Sequence, residues 1–87
     1  MKTRIRYVTD GTGNLVTKAP LLVGGDLLTV TLIPEQKAYL ITDASNGQLV
    51  TQDSAVSMQM LKIKVKKELR ARGAVFNDEV RNRLEVT

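Results

Sequence analysis

The chain has 87 residues, 13 basic and 9 acidic side chains, a net charge of +4, and neither histidine nor cysteine. This length predicts one domain with a modest core. The missing residue types exclude the commonest general base, disulfide bonds and the usual imidazole and thiolate metal ligands. We therefore expect no enzymatic activity, no metal and no cofactor. Because the sequence has no long apolar run, we also expect no membrane partner and a cytoplasmic, or virus-encoded and intracellular, location.

Residues 1–53 predict an antiparallel β-meander of five strands. Alternating apolar and polar residues, many of them β-branched, indicate strands over residues 3–9, 15–22, 27–33, 37–42 and 48–52. Turn-forming residues separate these runs, and Asn46-Gly47 is the strongest two-residue hairpin signal among them. Short connections favour pairing between consecutive strands, which is the pattern of a meander.

The alternation also predicts what each face of this sheet carries. On the face toward the core we expect Ile5, Tyr7, Leu28, Val30, Leu32 and Leu40. On the opposite face we expect Arg4, Arg6, Thr29, Thr31, Tyr39 and Ile41. An antiparallel sheet can leave one such face open to water.

Residues 54–73 predict the main helix, spanning about residues 55–72. Asp53 or Ser54 is the expected N-cap, and Gly73 can end the helix in a left-handed conformation. A helical stripe supports this interpretation, formed by Met58, Leu61, Val65 and Leu69. The alternation of apolar residues with lysines over residues 61–66 indicates a strand instead, but the abundance of helix-forming residues favours the helix.

Residues 74–87 form a C-terminal appendage in which residues 78–84 are predicted to make a short helical turn. The expected fold is therefore α+β, in a single small domain. It consists of a five-stranded antiparallel β-meander followed by one main α-helix packed on one sheet face, with a short C-terminal helical turn. The residues contain no motif that identifies a protein family.

The net charge lies entirely after residue 53, because residues 1–53 hold equal numbers of acidic and basic groups. Such asymmetry can indicate an anionic partner, although a solvated helix face explains it equally simply. If the partner is anionic, the chain would bind nucleic acid through a basic helix and an arginine-bearing sheet face. That site would comprise Arg4, Arg6, Tyr39, Lys62, Lys66, Lys67 and Arg70.

A second apolar stripe on the predicted helix consists of Val56, Met60 and Ile63. These residues face away from the first stripe, and one helix cannot bury both sides against a single sheet. The stripe can contact loops of the same chain or a second copy. The leading hypothesis is therefore a non-enzymatic interaction module that forms a homo-oligomer or binds a protein partner. Nucleic-acid binding is the alternative.

Overall fold

The computed structural model describes residues 5–74, which form an α+β domain with one antiparallel sheet and one helix. The predicted fold class is confirmed for these residues, whereas the predicted helical turn at residues 78–84 lies outside them. The strands are β1 (Tyr7–Thr9), β2 (Leu15–Thr17), β3 (Leu21–Val23), β4 (Asp26–Ile33), β5 (Ala38–Asp43) and β6 (Leu49–Ser54). The helix α1 spans Met58–Ala71.

The strand order is β1-β2-β4-β5-β6, and β3 pairs with the same strand β4 that β2 pairs with. The single strand predicted over residues 15–22 is thus two short strands. Val16 pairs with Thr31 and Leu21 with Leu28, so the four residues between Val16 and Leu21 lie opposite only two residues of β4. Pro20 lies within this irregular segment, where its missing N–H breaks no ladder hydrogen bond.

A buried threonine compensates for the break between β2 and β3. Thr17 is 6% exposed, and its hydroxyl oxygen accepts a hydrogen bond from the backbone N–H of Val30 at 3.2 Å. This bond satisfies a donor in the most buried part of β4, where an unpaired N–H would be costly.

The turns correct one prediction. Asn46-Gly47 does not form a two-residue hairpin, because β5 ends at Asp43 and β6 begins at Leu49. In this longer loop Gly47 has positive φ and Asn46 does not, whereas the tight type I′ turn requires positive φ at both positions. Gly24 and Gly25 do meet that requirement and join β3 to β4.

The core lies between α1 and one face of the sheet, which we call the inner face. The sheet contributes Val23, Leu28, Val30, Leu32, Tyr39 and Ile41, and the helix contributes Leu61, Val65 and Leu69. Tyr7 and Ile5 pack against this cluster, as predicted.

The prediction of which β5 side chains point toward the core is wrong. Ile41 pairs with Val30, and Tyr39 pairs with Leu32. Directly paired residues point to the same side of a sheet, so Tyr39 and Ile41 lie in the core and Leu40 lies on the opposite face. All three side chains are large and apolar or aromatic. The alternation alone therefore could not distinguish the two assignments, and the register with β4 decides between them.

Candidate interaction surfaces

The helix that carries most of the basic residues is capped at both ends. Its N-cap is Ser57, whose hydroxyl accepts a hydrogen bond from the N–H of Met60 at 3.2 Å. The predicted caps Asp53 and Ser54 instead belong to β6. At the other end Gly73 donates to Arg70 O at 3.0 Å, and the next residue, Ala74, donates to Leu69 O at 2.9 Å. These two bonds form a Schellman motif, and the φ of +107° at Gly73 confirms the predicted helix end.

The second apolar stripe is exposed. The exposed fractions are 85% for Val56, 44% for Met60 and 51% for Ile63. The side of α1 that bears Leu61 and Val65 is fully buried against the sheet. The stripe is therefore a solvent-facing surface in the part of the chain that the structure describes.

The basic residues of α1 fall into two groups. Lys64 and Arg72 lie on flanks of the helix, where they form ion pairs with acidic neighbours. The Nζ atom of Lys64 lies 3.5 Å from a carboxylate oxygen of Asp53 and donates to the carbonyl oxygen of Ser54 at 2.7 Å. Arg72 Nε donates to the Glu68 carboxylate at 2.8 Å.

The other group consists of Lys62, Lys66, Lys67 and Arg70. Helical periodicity places Lys67 and Arg70 on the outward half of the helix beside Met60 and Ile63, Lys66 at the edge of that half, and Lys62 on the flank opposite Lys64. Lys62, Lys67 and Arg70 are exposed and Lys66 is half-buried. Four residues, Gln59, Lys62, Ile63 and Lys66, line a shallow groove on this side.

The structure does not bring the predicted nucleic-acid-binding residues together. Tyr39 is only 2% exposed and lies in the core, so it cannot stack on a base at the open face. Arg6 precedes Tyr7, which packs against the core, so alternation places Arg6 on the side of the sheet away from α1. Arg4 lies outside the described residues. The arginine and the helix lysines are therefore separated by the sheet.

The face of the sheet opposite α1 is the second exposed surface, and we call it the outer sheet face. Pairing and alternation assign to it Val8, Val16, Leu22, Leu27, Thr29, Thr31, Ile33, Ala38, Leu40, Thr42, Leu49 and Gln52. Val8, Leu22, Leu27 and Leu49 are about half exposed or more. These side chains carry no charge, and Arg6, next to Tyr7 at the margin of the sheet, adds one positive charge to this side.

The centre of the outer sheet face is a row that crosses four strands. Val16 pairs with Thr31, Thr31 with Leu40, and Leu40 with Gln52. Within residues 5–74 the only helix packs on the inner face, so no helix covers this row. Alternation predicted the threonines of this face but not its leucines, and it assigned Leu40 to the core. Alternation along β4 was the available signal for Leu27, which shares the face of Thr29 and Thr31, whereas β3 is apolar throughout and offers none for Leu22.

The third candidate is a groove between α1 and the sheet, lined by Tyr39, Asp53, Lys64, Lys67, Glu68 and Ala71. Burial raises the pKa of the Tyr39 hydroxyl, and the negative charges of Glu68 and Asp53 raise it further. The pKa of Asp53 is lowered by the N–H of Ser54 and then by Lys64. Asp53 and Glu68 thus form ion pairs with Lys64 and Arg72.

Residues 5–74 contain no helix long and apolar enough to cross a membrane. They also contain no group of three or more acidic side chains placed to hold a metal ion.

No protein-family model, curated protein or solved structure matches this chain. The functional proposals therefore depend on the two exposed surfaces, the outer sheet face and the outward side of α1.

Proposed function

We propose that the protein is a non-enzymatic interaction module that self-associates through the outer sheet face. The observation that carries this proposal is the uncharged row formed by Val16, Thr31, Leu40 and Gln52 on a face that α1 leaves uncovered. An open apolar sheet face is stabilised when it packs on another sheet about 10 Å away. We also propose a cytoplasmic location for the protein, as expected from the sequence.

Charge supports the outer sheet face over the helix as the contact between copies. Of the predicted self-association stripe, Val56 precedes the N-cap of the helix, and Met60 and Ile63 lie on a segment with six basic residues and one acidic residue between positions 58 and 72. Two such helices placed against each other would repel, whereas the centre of the outer sheet face carries no charge and Arg6 lies at its margin. The helix stripe thus becomes the less favoured site of self-association.

The size of the outer sheet face supports a reversible dimer. Five strands spaced about 4.8 Å apart, with a central strand of eight residues, present roughly 500 Å² of projected surface. Stable interfaces bury about 800 Å² of accessible surface on each partner, so this face lies toward the lower end. Interfaces at this end of the range are typical of transient contacts, so we expect the dimer to dissociate on dilution.

Light scattering across a concentration series of the full chain tests this proposal. We expect the mass to rise from one chain to two as concentration increases. Thr31→Glu places a charge at the centre of the face and should keep the protein monomeric, because the dimer would bury that charge. Thr31 is half-buried and outside the core, so circular dichroism should show an intact fold.

The matched control is Ile63→Glu, which places the same charge on the exposed helix stripe. Its mass should follow that of the unmodified chain. A chain that stays monomeric at every concentration would refute the proposal. Loss of the dimer in Ile63→Glu, with Thr31→Glu still dimeric, would refute the sheet-face contact and favour the helix stripe.

Nucleic-acid binding is the second proposal, and only the basic residues of α1 favour it. Those residues are Lys62, Lys66, Lys67 and Arg70, of which Lys67 and Arg70 lie on the outward half of the helix. It predicts oligonucleotide binding that weakens steeply with salt, because each neutralised phosphate releases counterions. Fluorescence anisotropy with a labelled oligodeoxythymidylate over a salt series tests it, and no binding at low salt would exclude it.

A further inference from the structure

We propose that the outward side of α1 binds an acidic amphipathic segment of a partner protein. The contact surface is an apolar ridge, Met60 and Ile63, bordered by Lys62 and Lys67. This site lies on the opposite side of the domain from the outer sheet face. The inference is therefore independent of self-association, and either can hold without the other.

The apolar ridge is the first element of the site. Met60 and Ile63 lie three residues apart, and neighbours at that spacing share one face of a helix. They are 44% and 51% exposed although Leu61 and Val65, on the buried side, are fully covered. Apolar side chains left in water at adjacent helical positions gain free energy when an apolar partner covers them.

The charged border is the second element. Lys67 follows Ile63 by one turn of the helix, and Lys62 precedes Lys66 by the same spacing. Gln59, Lys62, Ile63 and Lys66 together line the groove beside the ridge. A partner that places apolar side chains on Met60 and Ile63 therefore meets lysine stems and ammonium groups at its edges.

Charge complementarity identifies the class of partner. Glu68 is the only acidic residue of α1, and it is paired with Arg72 on a flank of the helix. No acidic residue lies in the first turn of α1. A segment with glutamates or aspartates beside its apolar positions would match this surface, whereas a second copy of the helix would repel it. An amphipathic helix laid along a groove with anchors three and four residues apart is a common recognition mode.

The ridge favours an acidic protein segment over nucleic acid. Phosphates are neutralised by cations alone and gain nothing from contact with Met60 or Ile63. Base stacking needs aromatic side chains, and α1 has none. An acidic amphipathic peptide uses the ridge and the lysines together.

Fluorescence anisotropy with the full chain and three labelled probes tests this inference. The first probe is a synthetic helical peptide with leucines at i and i+4 spacing among glutamates. The second has serine at each leucine and the same charge. The third is an oligodeoxythymidylate of equal charge. We expect the leucine peptide to bind at least about tenfold more tightly than either other probe, a difference of about 1.4 kcal/mol.

Variants of the exposed helix surface locate the site. Ile63→Glu and Lys67→Glu should each weaken binding of the leucine peptide by at least about tenfold. The control Lys64→Gln changes a lysine that is paired with Asp53 on the flank, and it should have a smaller effect than Lys67→Glu. Thr31→Glu, on the outer sheet face, should leave binding unchanged.

Three results would overturn the inference: no binding of the leucine peptide, equal binding of the serine peptide, or tighter binding of the oligonucleotide. The last result would favour the nucleic-acid alternative. Because the mass of the chain is measured separately by light scattering, failure of this site leaves the self-association proposal intact, and the reverse also holds.

Discussion

The backbone of Gly24 lies directly against the carbonyl group of Arg72, so the β3–β4 turn packs on the C-terminal end of α1. Gly73 contributes to this contact from the helix side. Its backbone lies so close to Gly24 that a Cβ atom at residue 73 would be only 3.3 Å from Gly24 Cα. A tight turn and a helix cap are thereby joined through backbone atoms alone. This contact fixes the end of the helix against the sheet.

Gly24→Ala should destabilise the fold strongly. A Cβ atom at this position clashes with the Arg72 carbonyl oxygen, and the φ of +57° adds backbone strain. We expect a loss of about 2–4 kcal/mol in the free energy of unfolding, measured by urea denaturation. Gly25→Ala is the matched control, because its φ is also positive but its Cβ meets no atom within 4 Å. Equal losses in the two variants would show that the close approach contributes nothing.

Thr17→Val should remove the hydrogen bond that repairs the break between β2 and β3. The shape of the side chain is nearly retained, but the buried N–H of Val30 loses its acceptor. The expected cost is about 1–3 kcal/mol, measured by chemical denaturation. Thr17→Ser keeps the hydroxyl and loses one methyl group, so it should cost about 0.8 kcal/mol. The prediction fails if the serine variant is the less stable of the two.

Tyr7 should make the stability of the fold sensitive to alkaline pH. Burial raises the pKa of its hydroxyl from 10.0 to about 12 in the folded chain. Folding therefore favours the neutral Tyr7 hydroxyl. The contribution of this hydroxyl to the free energy of unfolding is complete below pH 10 and is lost as the pH rises toward 12.

Thermal unfolding of the unmodified chain and Tyr7→Phe, compared across this pH range, tests the alkaline effect. The unmodified chain should lose melting temperature relative to the variant only above pH 10, because phenylalanine has no proton to release. Parallel pH profiles for the two proteins would contradict the prediction. Tyr39 is common to both, so its own titration cancels in the comparison.

Lys37→Gly should stabilise the turn between β4 and β5. Lys37 has a φ of +49°, a left-handed conformation that is costly for any residue with a Cβ atom. Its carbonyl accepts the N–H of Ala55 at 2.9 Å, which helps to hold that conformation. We expect a gain of about 0.5–1 kcal/mol in the free energy of unfolding. Gln36→Gly, at a neighbouring position without positive φ, should instead lose stability through the added freedom of the unfolded chain.

The sequence predicted the elements of this fold better than their arrangement. Leu28, Val30 and Leu32 were assigned to the core from strict alternation with threonines, and the structure buries all three. The helix was predicted from its apolar stripe and composition, and it ends at Gly73 as expected. Its start was placed too early because Asp53 and Ser54 are good capping residues in isolation, although β6 extends through them.

The candidate surfaces could be predicted only in part. Met60 and Ile63 stand out in the sequence because their helical positions oppose those of Leu61 and Val65, and the structure leaves both exposed. The outer sheet face could not be recognised without the register. Tyr39, Leu40 and Ile41 are apolar or aromatic in succession, so their pattern is compatible with either side of the sheet.

Length, composition and charge thus determined a small α+β domain without histidine or cysteine, whose net positive charge lies after residue 53. These properties follow from the residues and their order, without knowledge of which residues are in contact. Only the tertiary structure decided which side of β5 is buried, and therefore that Tyr39 lies in the core and Leu40 on the outer sheet face. The physical reason is that a shift of one residue in strand pairing reverses every side chain, and that shift depends on hydrogen bonds to a distant strand.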